Sequence, residues 1–376
     1  MISDSKENLR WGFTTGSCAA AAARAALNYL LQGETVDLID LTLPDGEIYH
    51  LPVASLEGVN NRAIAGVIKN AGDDPDVTDG LEIKAEVELL RGGEEIIIEG
   101  GEGVGTVTKP GLSVPPGEPA INPFPRRMIQ DAVKELMPTG SGLKVIVKVP
   151  GGEEVASRTF NPRLGIEGGI SILGTSGLVR PMSREAYLES LIPQIDQALS
   201  LGYKELLLTP GGKGVSRACE MGLPLEQTIQ ISNYVGDMLD ACIKRKVQKV
   251  VLFGYLGKFI KVAAGVFNTH SSVADARRET LAAHAAISGA PHEALLRIME
   301  LNTMEEAVAV LKDYGLESLP YVLAREVSRQ CEQRVSGQLS VGTILYTLQG
   351  DLWGWDRNAE IIGGNWKWRQ QLKWWE

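Results

Sequence analysis

Three glycine-rich segments with adjacent cations are the most promising chemical feature of this 376-residue chain. Each follows an apolar stretch that is typical of a buried β-strand, so each has the character of a strand-to-helix loop. Glycine lets a backbone approach a ligand closely, and a lysine or arginine beside it favours an anion. We therefore expect a ligand site at these loops, although short loops after strands also need glycine for their turns. The segments are GTSGLVRP from Gly174, PGGKGVSR from Pro210 and GYLGK from Gly254.

Known nucleotide-binding motifs do not match these loops in detail. A phosphate-binding loop of the Walker type needs Gly-Lys followed by Ser or Thr, but an aromatic residue follows Lys258. The glycines of the segment 101–105 have the wrong spacing for a dinucleotide fingerprint, and Pro110 forbids the helix that should follow them. The sequence therefore argues against ATP chemistry of that class and favours a turn-rich loop at 101–111.

Two polar segments supply acid–base candidates. One contains Asp73 and Asp74 in a turn before a proline, a pattern that is equally typical of a solvated turn. The other places His270 among hydroxyl side chains, five residues before Asp275. A histidine in such surroundings, beside a glycine loop, is able to bind substrate or transfer protons. We therefore treat these four residues as candidates for catalysis.

Charge and cysteine usage exclude several classes of protein. The net charge of −10 opposes nucleic-acid binding, and four scattered cysteines without a C-x-x-C pair argue against a disulfide framework or a thiolate zinc site. No other pair of side chains has a convincing metal-ligand spacing. The polar start of the chain lacks the apolar core of a signal peptide, and no stretch approaches about 18 consecutive apolar residues. We expect a cytoplasmic protein with no metal of its own, no nucleic-acid partner and no membrane partner.

The apolar pattern predicts two kinds of architecture. A helix from Thr15 to Gly33, hairpin-like segments up to about residue 107, a helix over 125–137 and a hairpin over 143–159 predict an α+β N-terminal domain with an antiparallel sheet. Beyond about residue 165, strands alternate with helices, which is typical of an α/β domain with an open, mostly parallel, Rossmann-like sheet. The predicted strands are 169–173, 205–209, 249–253 and 341–346, with one helix over 183–199 between the first two. The predicted domains are 1–165 and 166–350, followed by a Trp-rich tail, 351–376.

The tail carries most of the tryptophan in the chain, interleaved with basic residues. Such a segment is able to stack on an aromatic ligand or a partner, but we favour a tail that folds back over an apolar seam. Its tryptophans are Trp353, Trp355, Trp366, Trp368, Trp374 and Trp375.

Six segments together resemble one family, the cobalt-precorrin-5B (C(1))-methyltransferases of anaerobic cobalamin biosynthesis. The resemblance implies a two-domain methyltransferase that uses S-adenosylmethionine to methylate ring carbon C-1 of a corrin precursor, giving cobalt-precorrin-6A. It implies cobalt only as part of the substrate. The segments are GFTTGSCAAAAARAAL from Gly12, VIKNAGDDPDVTDG from Val67, GEGVGTVTKPGL from Gly101, GEPAINPFPRRMI from Gly117, GISILGTSGLVRPMS from Gly169 and GKFIKVAAGVFNTHSSVADAR from Gly257.

The acidic macrocycle that the resemblance implies would need local cations. Arg126 and Arg127 stand at a predicted helix start, where the helix dipole favours negative charge, so we expect them to face an anion. Acetate and propionate groups favour arginine and lysine in the same way. The side chains that we predict to bind the macrocycle are Thr14, Thr15, Lys109, Asn122, Arg126, Arg127, Arg180, Lys258, Lys261 and Arg277. The residues that we predict to bind the methyl donor are Gly174, Thr175, Gly177, Gly211, Gly212, Gly254 and Gly257.

Methyl transfer from a sulfonium to carbon is an in-line displacement, so alignment of the two reactants in a site without water should contribute most. Proton removal is secondary, and for it we rank His270 before Asp73, Asp74 and Asp275. The chain lacks the E/D-x-G-x-G-x-G pattern common in Rossmann methyltransferases, so donor binding follows from the resemblance alone. Two alternatives stay open: a non-catalytic tetrapyrrole carrier and, less consistent with the motifs, a nicotinamide-dependent oxidoreductase. A homo-oligomer or a contact with another pathway enzyme is also compatible with the sequence.

Overall fold

A computed structural model describes residues 9–364 and Trp366. The chain divides into two compact units, residues 1–190 and residues 191–376, and each is described by itself. The domain boundary that we predicted near residue 165 stays a prediction. In the described part of the chain, no helix combines the length and the apolar character that a membrane span requires.

The first unit contains a five-stranded mixed sheet and several two-stranded sheets. Four helices begin within this unit. Its helices are α1 Thr15–Gln32, α2 Pro123–Lys134, α3 Gly152–Ala156 and α4 Arg184–Leu191. Its strands are β1 Gly12–Phe13, β2 Leu38–Thr42, β3 Ile48–Pro52, β4 Ser55–Val59, β5 Arg62–Ile68, β6 Glu82–Arg91, β7 Ile96–Gly100, β8 Gly103–Val104, β9 Thr106–Val107, β10 Ser141–Lys148, β11 Ile166–Glu167, β12 Gly169–Ile170 and β13 Leu178–Val179.

The main sheet of the first unit has the strand order β4-β5-β6-β10-β7, antiparallel except between β10 and β7. Ala65, Ala85 and Val147 lie opposite one another on three neighbouring strands, and all three are buried. Helix α1 packs on this face. Its residues 15–23 are all buried because the run of alanines lets sheet and helix α2 approach it closely on every side.

The second unit contains one five-stranded sheet with helices. Its helices are α5 Pro193–Ser200, α6 Gly212–Glu220, α7 Val235–Lys244, α8 Leu256–Ala263, α9 Arg277–Ile287, α10 His292–Met299, α11 Glu306–Asp313, α12 Leu319–Arg334 and α13 Arg357–Ile362. Its strands are β14 Glu205–Thr209, β15 Thr228–Gln230, β16 Lys249–Tyr255, β17 Ser340–Tyr346 and β18 Leu352–Trp355.

The strand order in this sheet is β15-β14-β16-β17-β18, and only β18 runs antiparallel to its neighbour. The inner strands are continuous apolar runs because helices cover both faces of such a sheet. The chain leaves β14 toward β15 on one side and then continues to β16 on the other side. The carboxyl end of β14 is therefore a topological switch point, where open α/β sheets bind ligands.

The predicted fold class is confirmed, with an antiparallel, α+β first part and an open, mostly parallel second sheet. Three predicted elements were wrong in detail. The segment 169–173 does not belong to the second sheet, since Gly169–Ile170 pairs with β8 in the first unit. The second arm of the hairpin over 143–159 is helix α3 and turns, because β10 takes its partners from β6 and β7. The helix over 183–199 is two helices, because Pro193 begins a new one.

Candidate functional site

Three loops meet at the carboxyl end of β14. They follow β14, β15 and β16, and the loop after β15 is anchored by the amide of Ile231, which donates to the carbonyl of Thr209 at 2.8 Å. Ser232, in the same loop, has φ +52°, a left-handed conformation that is rare outside glycine and concentrates at functional sites. This switch-point crevice, formed by residues 209–214, 231–234 and 255–258, is the candidate ligand site of the second unit.

A lysine closes one side of the switch-point crevice. Nζ of Lys258 donates to Oδ1 of Asn233 at 2.9 Å, and the hydroxyl of Thr269 donates to the same oxygen at 3.2 Å. Burial lowers the pKa of Lys258 below that of an ordinary lysine, and the nearby charge of Lys261 lowers it further. The crevice therefore has a half-buried cation whose neutral form is reached at a lower pH than for a free lysine.

Lys261 holds the segment that carries the histidine. Its side chain is buried, and Nζ donates to the carbonyls of Thr269 at 3.3 Å and of Ala274 at 2.8 Å. We predicted that Lys261 binds the macrocycle, and the structure instead directs its ammonium group at two backbone carbonyls. Its charge contributes to the positive potential of the crevice while its hydrogen bonds fix the loop.

His270 lies on that segment with its ring exposed. Nδ1 accepts from the amide of Ser272 at 3.2 Å and lies 2.7 Å from the Ser272 hydroxyl oxygen. Since a backbone amide only donates, Nδ1 is unprotonated in this arrangement, and the neutral ring carries its proton on Nε2. The geometry therefore favours His270 as a hydrogen-bond donor to substrate over His270 as a proton acceptor.

Asp275 forms an ion pair with Arg277. Arg277 donates to both of its carboxylate oxygens, with Nε at 2.6 Å and Nη2 at 2.7 Å. These hydrogen bonds lower the pKa of Asp275 to about 2. A carboxylate with so low a pKa is a weak base, so this pair positions a charge near the crevice more readily than it accepts a proton.

The predicted donor-binding glycines of the second unit fall into two classes. A Cβ on Gly254 would overlap the ring of Phe259, and a Cβ on Gly257 would overlap the ring of Tyr255. Both positions therefore need glycine for packing. At Gly211 and Gly212 an added Cβ would meet no atom within 4 Å, so the backbone there faces open space. The open pair is the one that suits a ligand.

In the first unit, the start of α1 is fastened to the loop that follows β12. The hydroxyl oxygen of Thr14 caps the helix by accepting from the amide of Ser17 at 3.1 Å. The hydroxyl oxygen of Thr15 accepts from the amide of Leu173 at 2.9 Å, and the hydroxyl of Ser17 donates to the carbonyl of Gly177 at 2.6 Å. Both threonines are buried, so these bonds hold the loop in place. The predicted role of both threonines in substrate binding stays a prediction.

Gly174 and Gly177 have φ values of +130° and +84°. A Cβ on Gly174 would overlap Thr14, and a Cβ on Gly177 would overlap Leu43. Their conformation is therefore explained by this packing, while Thr175 between them is exposed. Donor binding by these three residues also stays a prediction, and the second unit offers the more open backbone.

Two neighbouring arginines at the start of α2 behave differently. Arg126 donates through Nε to the carbonyl of Ile121 at 3.1 Å and through Nη1 to the carbonyl of Ile98 at 3.0 Å. Arg127 is exposed and lines a cavity of about 340 Å³ together with Phe124. Arg126 therefore braces the backbone, and Arg127 is the arginine of the pair that is placed to meet an anion.

The other predicted cations and the amide of the first unit are scattered. The side chain of Lys109 is half-buried against Gly165, where a Cβ would overlap its methylene groups. Asn122 precedes α2, but its side chain does not cap the helix. Arg180 is exposed just after β13. Within the first unit these three residues are not part of the cavity that Arg127 lines.

The acidic turn ties chain segments together. Asp73 accepts from the guanidinium of Arg10 at 2.8 Å, and these bonds hold the pKa of Asp73 below its ordinary value. Asp74 accepts from the amide of Met182 at 2.9 Å, which stabilises a left-handed conformation at Met182, φ +55°. Such contacts favour a structural role for both aspartates over proton transfer, although their predicted catalytic role is untested.

Part of the Trp-rich segment folds onto the second unit. Trp353 and Trp355 belong to β18, and Nε1 of Trp355 donates to Glu360 at 3.0 Å. Trp366 packs against the core next to α13. These contacts agree with an apolar seam rather than a free stacking surface. The predictions for Trp368, Trp374, Trp375 and the basic residues between them lie outside the described residues.

Sequence reasoning missed Thr209 and Asn233 in the crevice and Tyr346, whose hydroxyl lies next to Gly214. Each is a polar residue at or just beyond the carboxyl end of a strand, which is the signal that would have found them. Asn233 was hidden because β15 has only three residues and was not predicted. Among the described residues, no three His, Cys, Asp or Glu side chains are arranged to hold a metal ion.

Comparison with known proteins decides the family. A family model described as CbiD matches residues 2–181, and a second, for the CbiD C-terminal domain, matches residues 268–357. The chain is 50% identical, over 98% of its length and 96% of the relative, to a cobalt-precorrin-5B C(1)-methyltransferase of Desulfitobacterium hafniense. This chain belongs to the CbiD family. The resemblance stated from its motifs is thereby confirmed, and the protein is a methyltransferase.

Two further matches extend the comparison. A cobalt-precorrin-5B C(1)-methyltransferase of Moorella thermoacetica is 50% identical over 96% of this chain and 98% of the relative. A solved structure of a cobalamin biosynthesis protein (cbiD) from Archaeoglobus fulgidus is 30% identical, with a TM-score of 0.37, and covers 72% of this chain and 84% of that one.

Proposed function

We propose that this CbiD-family protein transfers a methyl group from S-adenosylmethionine to C-1 of cobalt-precorrin-5B, giving cobalt-precorrin-6A. The observation that carries this proposal is the identity of 50% to relatives of that name over nearly the whole chain. Because the match spans both units, the proposal concerns the entire chain. S-adenosylmethionine and the tetrapyrrole are substrates, and cobalt enters only with the tetrapyrrole.

We place the methyl donor at the switch-point crevice. The support is the position of the crevice at the carboxyl end of β14, the open backbone of Gly211 and Gly212, and the left-handed Ser232 in the facing loop. A ligand seated on open glycine backbone receives amide hydrogen bonds that no side chain obstructs. Lys258 and Asn233 close the other side of the crevice through their hydrogen bond of 2.9 Å.

We propose that basic side chains bind the carboxylates of the macrocycle. Their support is exposure or partial exposure beside the segments that define the family, together with the preference of carboxylates for charged donors. Arg126 and Lys261 are given a bracing role instead, since both direct their charges at carbonyls. The proposed cationic ligands of the carboxylates are Lys109, Arg127, Arg180, Lys258 and Arg277, and the neutral ring of His270 would donate through Nε2.

The described acid–base groups support a mechanism dominated by alignment. Asp275 and Asp73 have a lowered pKa, and Nδ1 of His270 already accepts a hydrogen bond. The sulfonium is a reactive donor and the ring carbon is the nucleophile, so holding both in line in a dry crevice is the main requirement. His270 would then orient an oxygen of the macrocycle through its Nε2 proton.

Incubation of the purified protein with S-adenosylmethionine and cobalt-precorrin-5B tests the proposal. We expect the tetrapyrrole to gain the mass of one methyl group while the donor becomes S-adenosylhomocysteine, as read by mass spectrometry. A macrocycle that binds tightly without donor consumption would instead identify a carrier. Isotope-labelled donor methyl, followed by NMR of the product, places the new group on C-1.

We also infer a cytoplasmic location and an oligomer or a contact with a pathway enzyme. All four cysteines are free, which suits a reducing compartment. Light scattering of the purified protein, alone and with the enzyme that supplies its substrate, tests the assembly.

A further inference from the structure

The first turn of α6 presents unpaired backbone donors. Within the described part of the chain, the amides of Gly212 and Lys213 donate to no protein acceptor, and nothing lies within 4 Å of a Cβ on Gly211 or Gly212. The helix dipole adds partial positive charge at this end, and the exposed Lys213 adds a full one. The turn therefore suits an anion, but this feature alone does not identify a site.

A second, independent observation comes from Thr209. Its hydroxyl oxygen is fully buried and has no hydrogen-bond partner among the described residues. It lies against Gly214, the third residue of α6, so closely that a Cβ there would overlap it. Buried hydroxyls without partners are rare in native proteins, and each calls for an explanation such as a ligand. This one points at the first turn of the helix.

Tyr346 brings a further donor to the same place. A Cβ on Gly214 would lie 3.3 Å from the Tyr346 hydroxyl oxygen, and the Tyr346 ring packs on Phe253 with centroids 4.8 Å apart. Burial raises the pKa of Tyr346, so its phenol is protonated at neutral pH and available to donate. The guanidinium of Arg217, which donates to the carbonyl of Gly350, adds charge nearby.

We infer that this first turn of α6, with the hydroxyls of Thr209 and Tyr346, binds the carboxylate in the amino-acid part of the methyl donor. The inference rests on the proposed function, since it names the part of S-adenosylmethionine that the crevice recognises. The amides of Gly212 and Lys213 donate to the carboxylate, and the Lys213 ammonium balances its charge. The carboxylate gives the Thr209 hydroxyl an acceptor once the first turn adjusts around it. Donor specificity then depends on the carboxylate.

Decarboxylated S-adenosylmethionine tests this inference directly, because it keeps the sulfonium and the nucleoside and lacks only the carboxylate. We expect it to bind wild-type protein about tenfold or more weakly than S-adenosylmethionine by calorimetry. If donor binds only with the macrocycle present, the same ratio is read from the KM of each donor in turnover. Equal affinity or equal KM for the two donors overturns the inference while the proposed function stands.

Variants of Thr209 locate the effect. Thr209→Val removes the hydroxyl at nearly constant volume. We expect this variant to bind S-adenosylmethionine more weakly than the wild type does, while its affinity for the decarboxylated donor is unchanged. Thr209→Ser keeps a hydroxyl and should still bind S-adenosylmethionine more tightly than the decarboxylated donor. Thr228→Val is the matched control, since that residue is also buried but its hydroxyl already donates to the carbonyl of Pro224 at 2.6 Å. The ratio of its affinities for the two donors should equal that of the wild type.

Two other outcomes are informative. Failure of every donor to bind or react, with correctly folded protein and macrocycle present, contradicts the proposed function and the inference with it. Cobyrinic acid, a corrin with free carboxylates, serves as a competitor in the same titrations. If it displaces S-adenosylmethionine and loses affinity in Thr209→Val, the carboxylate bound at α6 belongs to the macrocycle and the inference is overturned.

Discussion

The side chains of Lys258 and Asn233 join the two loops on either side of β14 through one hydrogen bond of 2.9 Å. Lys258 follows β16 and Asn233 follows β15, so the bond connects segments separated by the central strand of the switch point. A cation held in this way has a fixed position and a lowered pKa. Both properties should be visible in the affinity for the macrocycle and in the dependence of that affinity on pH.

Lys258→Met should lower the affinity for the macrocycle and leave the fold intact, because methionine keeps the apolar length of the side chain and removes its charge. Loss of one charge-assisted contact corresponds to about tenfold in affinity for cobyrinic acid by calorimetry. The wild-type affinity should fall as the pH rises through the lowered pKa of Lys258, because only the protonated form attracts a carboxylate. The variant should lack that step, and an unchanged pH profile would contradict the assignment.

Arg126→Ala and Arg127→Ala form a matched pair of neighbouring truncations. Arg126→Ala removes the donors to the carbonyls of Ile98 and Ile121, so we expect the free energy of unfolding in urea to fall by about 1–3 kcal/mol. Arg127→Ala should leave unfolding unchanged and lower the affinity for cobyrinic acid. If the two effects are exchanged between the variants, the roles that we assign to the two arginines are wrong.

These arginines illustrate what the sequence can and cannot predict. The start of α2 was predicted within two residues, and its two cations were predicted from residues 122–127, because a proline at a helix start and charge type are local properties. The carbonyl of Ile98 that captures Arg126 lies on β7, 28 residues away in sequence. No local pattern specifies which of two adjacent side chains meets such a carbonyl.

The strands show the same division. β14, β16 and β17 were predicted within a few residues, because a buried parallel strand is a continuous apolar run. The segment at Gly169 has the same local pattern, yet it pairs with β8 in the first unit. The unpaired hydroxyl of Thr209 was invisible for a related reason, since a threonine at a strand end is common and its lack of a partner depends on the position of α6.

The four cysteines predict a simple labelling pattern. Cys219 is exposed, whereas burial raises the pKa of Cys18 and of Cys242 to about 12 and also raises the pKa of Cys331. A thiol reagent at pH 8 should therefore modify Cys219 alone in native protein, since the thiolate is the reactive form. Cys219→Ser should abolish the fast reaction, and denatured protein should release the other thiols. A second fast thiol in the native variant would contradict the burial of the remaining three.

The pair of Asp275 and Arg277 predicts a stability change in acid. The pKa of Asp275 is lowered to about 2, so the folded state binds this proton less readily than the unfolded chain. The stabilising contribution is present above the ordinary pKa of aspartate and is lost as the pH falls through about 2. Urea unfolding of wild type and Asp275→Asn should therefore differ at neutral pH and converge in strong acid. Because the carboxylate is largely exposed, the difference should be small and should shrink with added salt.

Lys69 and Asp76 form the most deeply buried ion pair of the first unit's acidic turn, with 2.7 Å between Nζ and the carboxylate. Burial raises the pKa of Asp76, but the charge and hydrogen bond of Lys69 outweigh it and leave that pKa below its ordinary value. Lys69→Met strands a partly buried carboxylate, so we expect the free energy of unfolding to fall by about 3 kcal/mol. Lys69→Met combined with Asp76→Asn removes the stranded charge and should recover part of the loss. If the double variant is no more stable than Lys69→Met, the destabilisation comes from repacking of the core around the substituted side chain, and not from the unpaired carboxylate.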